Sequence, residues 1–147
     1  MSVFQCLQAF TLKFYNMKLA QLILSKSDYE LLKTHLKLST TLSEFNKKKL
    51  SIELKTARVL KSEEMPDDVV SENSKVRIED TESGQAYTFE LVAPKQADMK
   101  RSRLSVLSPI GVALLGYRPG IEVDWEMPGG LRTFRIVSVQ RSVVQQD

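Results

Sequence analysis

The stretch from Ser108 to Gly116 limits the folds open to this chain more than any other part of the sequence. Ser108 and Pro109 are typical of a helix start, because a serine hydroxyl can accept an orphan amide and proline has no amide to lose at the first helical position. Gly116 readily takes the left-handed conformation that ends a helix. The stretch therefore predicts a helix of less than two turns, preceded by a strand ending near Leu104. We expect one side of this helix to cover a core and the Ser108 end to stay at a rim.

Four other runs alternate between apolar and polar residues, as half-buried strands do. They are residues 74–80, 85–92, 121–126 and 131–140. Gly84 lies in the turn between the first two runs, and Pro128-Gly129-Gly130 separates the last two, so each pair predicts a hairpin. A polar, charged loop is expected over 94–103. The alternating aromatic residues are expected in the core rather than in a ligand cup; they are Tyr87, Phe89, Trp125 and Phe134.

The N-terminal part predicts a short strand within 19–24 and then two helices. Ser27 with Glu30, and Thr41 with Glu44, have the capping-box form that opens a helix. The first helix is expected to end near Leu38 and the second near Leu60, which makes a short antiparallel helical hairpin. The fold class is therefore α+β, with this hairpin followed by an antiparallel β-sheet domain carrying one short helix.

Basic residues gather on one side of the second predicted helix. Lys47, Lys48, Lys55 and Arg58 share one face at 100° per residue, and we expect the opposite side, with Phe45 and Ile52, to face inward. Up to residue 60 the chain has ten lysines and arginines against four acids, whereas the remainder has eleven against fourteen. The residues alone leave two interpretations of this face open: contact with phosphates, or a solvated surface.

Composition excludes several classes of site. One cysteine and one histidine rule out an internal disulfide and argue against a cysteine- or histidine-based metal site. No motif indicates a catalytic residue, a cofactor or a metal, and no run is long enough for a spanning helix. Met17 resembles a second start site, and the stretch 62–68 breaks the helical pattern. We therefore divide the chain into an N-terminal extension (1–18), a helical hairpin (19–62) and a C-terminal domain (63–147).

Several separated motifs resemble the C-terminal domain of the bacterial transcript-cleavage factors GreA and GreB, and the shorter Rnk group within that family. The motifs are the run from Ser108 to Gly116, Pro119-Gly120, the run from Glu63 to Val70, Asn73-Ser74, and the run from Trp125 to Gly130. The resemblance implies an FKBP-like domain that docks on bacterial RNA polymerase beside its secondary channel. By motif, the implied docking residues are Ser105, Leu107, Ser108, Pro109 and Ile110.

The resemblance also indicates a feature of the longer relatives that this chain lacks. In the longer relatives a coiled coil presents an acidic pair at its tip to help hold magnesium, whereas here Glu44 is the one acid near the connection 39–41. We therefore expect a non-enzymatic, monomeric, cytoplasmic regulator that competes with the longer factors, with only weak nucleic-acid contact through the basic face and no membrane partner. The alternatives are an FKBP-like peptidyl-prolyl isomerase and a basic nucleic-acid-binding module.

Overall fold

A computed structural model describes residues 21–141 and has an α+β fold. The predicted extension 1–18 lies outside the described residues. The strands are β1 (Ile23–Ser25), β2 (Arg58–Leu60), β3 (Ser74–Asp80), β4 (Ala86–Val92), β5 (Arg103–Ser105), β6 (Glu122–Met127) and β7 (Gly130–Arg141). The α-helices are α1 (Lys26–Leu38), α2 (Glu44–Thr56) and α3 (Pro109–Leu114).

The main sheet has five strands in the order β5-β4-β3-β7-β6. Both predicted β-hairpins are confirmed, since β3 pairs antiparallel with β4 and β6 pairs antiparallel with β7. The sheet is not wholly antiparallel, because β5 pairs parallel with β4. The predicted loop 94–103 contains two short 3-10 helices and the first residue of β5.

One hydrophobic core extends through both halves of the chain. It joins Leu32 and Leu50 of the two long helices to Trp125 and Ile136 of the sheet, all at most 2% exposed. Phe89 and Phe134 are buried as expected, whereas Tyr87 is 41% exposed, so its prediction as a core residue is wrong. The division of the chain at residues 62 and 63 stays a prediction.

Both long helices are capped by a different residue from the one the sequence suggested. Ser25, not Ser27, caps α1, its hydroxyl accepting the Asp28 amide at 3.1 Å. Ser43, not Thr41, caps α2 and accepts the Asn46 amide at 3.1 Å. Both caps are extended in backbone conformation, which is the geometry that lets a side chain reach the amide three residues on.

The prediction that the second helix runs to Leu60 is wrong. Helix α2 ends at Thr56, and Ala57 is already extended. The Arg58 amide donates to the Leu22 carbonyl at 2.8 Å, and β2 pairs parallel with β1. Pairing with a strand 35 residues earlier thus replaces the last turn of the predicted helix, which places Arg58 outside the helix face.

Asp28 links the start of α1 to the loop before β3. Its carboxylate accepts the Glu72 amide at 3.2 Å, and only 2% of the residue is exposed. Burial raises the pKa of Asp28 above its usual value. The hydrogen bonds with Glu72 and Ser25 lower this pKa, but burial is the larger effect. Burial and the nearby charge of Asp28 also raise the pKa of Glu72. The fold therefore holds two neighbouring acids in which the charged form is disfavoured.

We expect Asp28→Asn to weaken the pH dependence of stability. Between the pKa of the unfolded chain, about 4, and the raised pKa of the folded protein, the folded state keeps a proton that the unfolded state has lost. The free energy of unfolding therefore falls as pH rises through this range. Asparagine retains an acceptor for the Glu72 amide but does not titrate. Urea titrations at several pH values should show a smaller fall for Asp28→Asn than for the unaltered protein. Asp68→Asn is the exposed control, and equal slopes for Asp28→Asn and the unaltered protein would contradict the prediction.

Candidate functional site

The five docking residues implied by the resemblance lie in one segment that runs from the last residue of β5 into the first turn of α3. We call it the docking segment, Ser105 to Ile110. The Ser105 hydroxyl accepts the Leu107 amide at 3.0 Å, and the Ser105 carbonyl accepts the Ser108 amide at 2.9 Å. The Ser108 hydroxyl accepts the Gly111 amide at 3.1 Å, so the predicted cap and short helix are confirmed. These bonds fix the turn that presents the segment.

Pro109 is the exposed member of the docking segment, whereas the apolar Leu107 and Ile110 are half-buried against the core. Pro109 occupies the first position of α3. The segment therefore combines a solvent-facing proline with two anchored apolar side chains. This is the rim position expected from the sequence.

Two concavities border the docking segment. Ile110 lines a cavity of about 590 Å³ whose wall includes Tyr87, Phe89, Met99 and Phe134. Leu107 lines a cleft of about 820 Å³ together with Leu31 and Leu38 of α1. The docking segment thus borders both an aromatic-lined cavity and a cleft against the first helix.

Gly111 allows the docking segment to pass close to α3. A Cβ atom at this position would lie 2.6 Å from the Ser105 carbonyl oxygen and 2.7 Å from the Val106 carbonyl oxygen. Atoms at such distances overlap, and backbone oxygens cannot rotate away as a flexible side chain can. The close approach of Ser105 and Val106 to the helix therefore requires glycine here.

The basic face differs from its prediction. Lys48 and Lys55 are exposed on α2, Lys47 is half-buried with its ammonium 3.7 Å from Glu44, and Arg58 lies in β2. The expectation that Phe45 and Ile52 face inward is wrong: they are 44% and 56% exposed. The outer side of α2 is therefore mixed in character, basic and apolar together.

The inner side of α2 is more polar than the sequence suggested, because it covers the outer edge of β6. Asn46 is only 3% exposed; its amide nitrogen donates to the Glu126 carbonyl at 2.8 Å, and its amide oxygen accepts the Glu126 N–H at 2.9 Å. The Lys49 ammonium donates to the Asp124 carbonyl at 2.7 Å. Sequence reasoning missed these roles; the available signal was Asn46, which lies four residues before Leu50 and eight before Leu54 on the buried stripe of α2.

A second polar contact joins α2 to the loop after α3. The Tyr117 hydroxyl donates to the Glu53 carboxylate, and the Lys49 ammonium lies 3.9 Å from that carboxylate. Burial lowers the pKa of Lys49 and raises the pKa of Glu53. Burial, followed by the charge of Glu53, raises the pKa of Tyr117. Lys49 and Glu53 thus connect the inner side of α2 to β6 and to the loop after α3.

Residues 21–141 contain no group of three or more histidines, cysteines or acids placed to hold a metal ion. The part of the chain that the structure describes also has no helix long and apolar enough to cross a membrane.

A family model described as "Transcription elongation factor, GreA/GreB, C-term" matches residues 65–141. The "Regulator of nucleoside diphosphate kinase" of Escherichia coli (strain K12) is 42% identical over 84 residues, covering 57% of this chain and 62% of that protein. GreA of Clostridium beijerinckii is 36% identical over 89 residues, covering 60% of this chain and 56% of the relative. The matches thus span less than two thirds of either relative.

A solved structure, "Prokaryotic transcription elongation factor GreA/GreB from Nitrosomonas europaea", superposes with a TM-score of 0.57 at 38% identity. The superposition covers 82% of this chain and 98% of that one. None of these matched proteins is described as an isomerase or a nucleic-acid-binding module, so neither alternative gains support.

Proposed function

The chain belongs to the GreA/GreB family of transcription elongation factors, and from this premise we propose that it is a non-catalytic regulator that binds bacterial RNA polymerase. It docks near the secondary channel and competes there with longer factors of the family. The observation that carries the proposal is the position of the docking segment: it lies within the matched residues 65–141, and its proline is exposed at a rim. Binding through such a segment needs no cofactor. The protein acts in the cytoplasm as a monomer.

The proposal includes the finer features that the resemblance implies. The residues from 63 onward form an FKBP-like domain that supplies the docking segment. Residues 19–62 form a short helical hairpin beside it. Each α-helix of this hairpin has 13 residues, which corresponds to about 20 Å. A hairpin of that length places its tip close to the body of the protein.

The docking segment is tested by capture of purified bacterial RNA polymerase on immobilised protein. We expect Pro109→Asp to reduce polymerase affinity about tenfold or more, because an exposed contact at the centre of an interface is replaced by a charge. Folding should be little affected, since Pro109 is exposed and an acid is favourable in the first turn of a helix. Pro119→Asp, at another exposed proline, is the matched control. Failure of the unaltered protein to capture polymerase would overturn the proposed function.

We also expect no stimulation of transcript cleavage. The connection between α1 and α2 holds no acidic residue from Ser39 to Ser43, and the carboxylate of Glu44 lies 3.7 Å from the Lys47 ammonium. An acidic pair that could help to hold magnesium is therefore missing from this tip. The measurement is RNA cleavage in backtracked elongation complexes with and without the protein. Cleavage above the level of polymerase alone would show that the protein is not a non-catalytic member of the family.

A further inference from the structure

Four residues form a stripe along the solvent side of α2. We call Phe45, Lys48, Ile52 and Lys55 the outer stripe. Their spacing of three, four and three residues places them on one helix face. Phe45 and Ile52 are 44% and 56% exposed, and both lysines are exposed. Two large apolar side chains are thus exposed to water and alternate with two positive charges along the helix.

The fold does not use the outer stripe. The buried positions of α2 are Asn46, Leu50 and Leu54, and at 100° per residue Ile52 lies roughly 160° away from both leucines. The bonds from Asn46 and Lys49 to β6 hold the helix in this orientation. A surface that is already fixed loses little conformational freedom when a partner binds, which favours affinity.

We infer that the outer stripe is a docking face for an acidic protein segment that also carries apolar side chains. This inference rests on the proposed function, in which the segment belongs to RNA polymerase. The charge of Lys48 and Lys55 is complementary to acidic side chains. Phe45 and Ile52 indicate a protein rather than a nucleic acid, because phosphate contacts need only the basic groups and an isoleucine offers no ring on which a base can stack.

The experiment compares two double variants of the full chain in capture of purified RNA polymerase at several salt concentrations. Phe45→Ser with Ile52→Ser is expected to weaken binding about tenfold, with the salt dependence unchanged, since no charge is altered. Lys48→Glu with Lys55→Glu is expected to weaken binding and to reduce its salt dependence. All four side chains are exposed, so thermal unfolding should confirm that both variants fold.

Helix α1 and strand β7 offer controls. Lys33→Glu with Lys37→Glu reverses two exposed charges on α1, and Leu131→Ser removes an apolar side chain of β7 that is 54% exposed. Both controls should bind polymerase within about twofold of the unaltered protein. Equal losses in the controls and in the outer-stripe variants would overturn the inference, because the effect would then not be specific to this face.

Three other results would overturn the inference while leaving the proposed function standing. One is capture at full strength by the Phe45→Ser, Ile52→Ser variant. Another is a loss confined to the lysine variant and matched by an equal loss of nucleic-acid binding in gel shifts, which would indicate phosphate contact. The third is a dimer of the unaltered protein in sedimentation that the serine variant abolishes, which would make a second copy the occupant. If the unaltered protein captures no polymerase, the proposed function fails, and the inference fails with it.

Discussion

Gly111→Ala is expected to lower the free energy of unfolding by about 2 kcal/mol, although alanine is the better helix former. Alanine in place of glycine within a helix is worth about 1 kcal/mol in its favour. Here the added Cβ would lie 2.6 Å from the Ser105 carbonyl oxygen and 2.7 Å from that of Val106. Overpacking costs about 1–3 kcal/mol and sometimes more. Two overlaps with rigid backbone oxygens place this site at about 3 kcal/mol, which leaves a net loss of about 2 kcal/mol after the propensity gain.

The same substitution should also impair polymerase capture, because relief of the overlap requires the docking segment to move away from α3. Gly129→Ala is the matched control, since a Cβ there would meet no atom within 4 Å. Chemical denaturation and polymerase capture on the same samples separate the two effects. A Gly111→Ala protein that is as stable as the unaltered one would show that the segment has room to shift, and capture at full strength would show that its position does not matter for binding.

Local signals in the sequence predicted the parts of the fold that local chemistry decides. The helix from Pro109 is short, and Ser108, Pro109 and Gly116 each favour the same boundaries. No other start or end of this helix is therefore favoured by the local sequence. The two β-hairpins were predictable for a similar reason, because glycine-containing turns bring neighbouring alternating runs into register. The implied docking residues were therefore placed correctly on their elements, while their role remains a prediction.

Contacts between distant parts of the chain explain most of the errors. The N-terminal helices offered several serines and threonines as caps, and the choice of Ser25 depends on β1, which pairs with residues 58–60. The same pairing takes Arg58 out of the helix. No local pattern indicates a parallel partner 35 residues away, and the parallel pairing of β5 with β4 was hidden in the same way.

The orientation of α2 was wrong because apolar side chains were assumed to point inward. The helix instead turns Asn46 and Lys49 toward β6, where strand carbonyls at a free sheet edge need donors. Satisfying those groups decided the orientation, and it left Phe45 and Ile52 in water. A helical wheel considers hydrophobicity alone. It cannot predict that α2 must supply hydrogen-bonding partners to the backbone of a strand edge some 75 residues later in the sequence.

Asn46→Ala is expected to lower the free energy of unfolding by about 2 kcal/mol. The substitution removes two hydrogen bonds, of 2.8 and 2.9 Å, and leaves the Glu126 carbonyl and N–H without their partners under α2. Unpaired buried groups cost about 1–3 kcal/mol, which exceeds the gain of roughly 0.5 kcal/mol from placing alanine in a helix. Lys48→Ala, at an exposed position of the same helix, should change stability by less than about 0.5 kcal/mol. Urea titration measures both variants.

Asn46→Asp tests the two hydrogen bonds between Asn46 and Glu126 separately. An aspartate keeps an acceptor for the Glu126 N–H but places a carboxylate oxygen against the Glu126 carbonyl, so at neutral pH we expect a loss at least as large as that of alanine. The loss should diminish in acid, where a protonated carboxyl can donate to that carbonyl.

Since β6 is an outer strand of the sheet, loosening α2 also uncovers unpaired backbone groups, and such edges pair with other chains. Concentration-dependent association in both Asn46 variants, absent in Lys48→Ala, would show that α2 protects this edge, and monomeric variants of unchanged stability would refute that role.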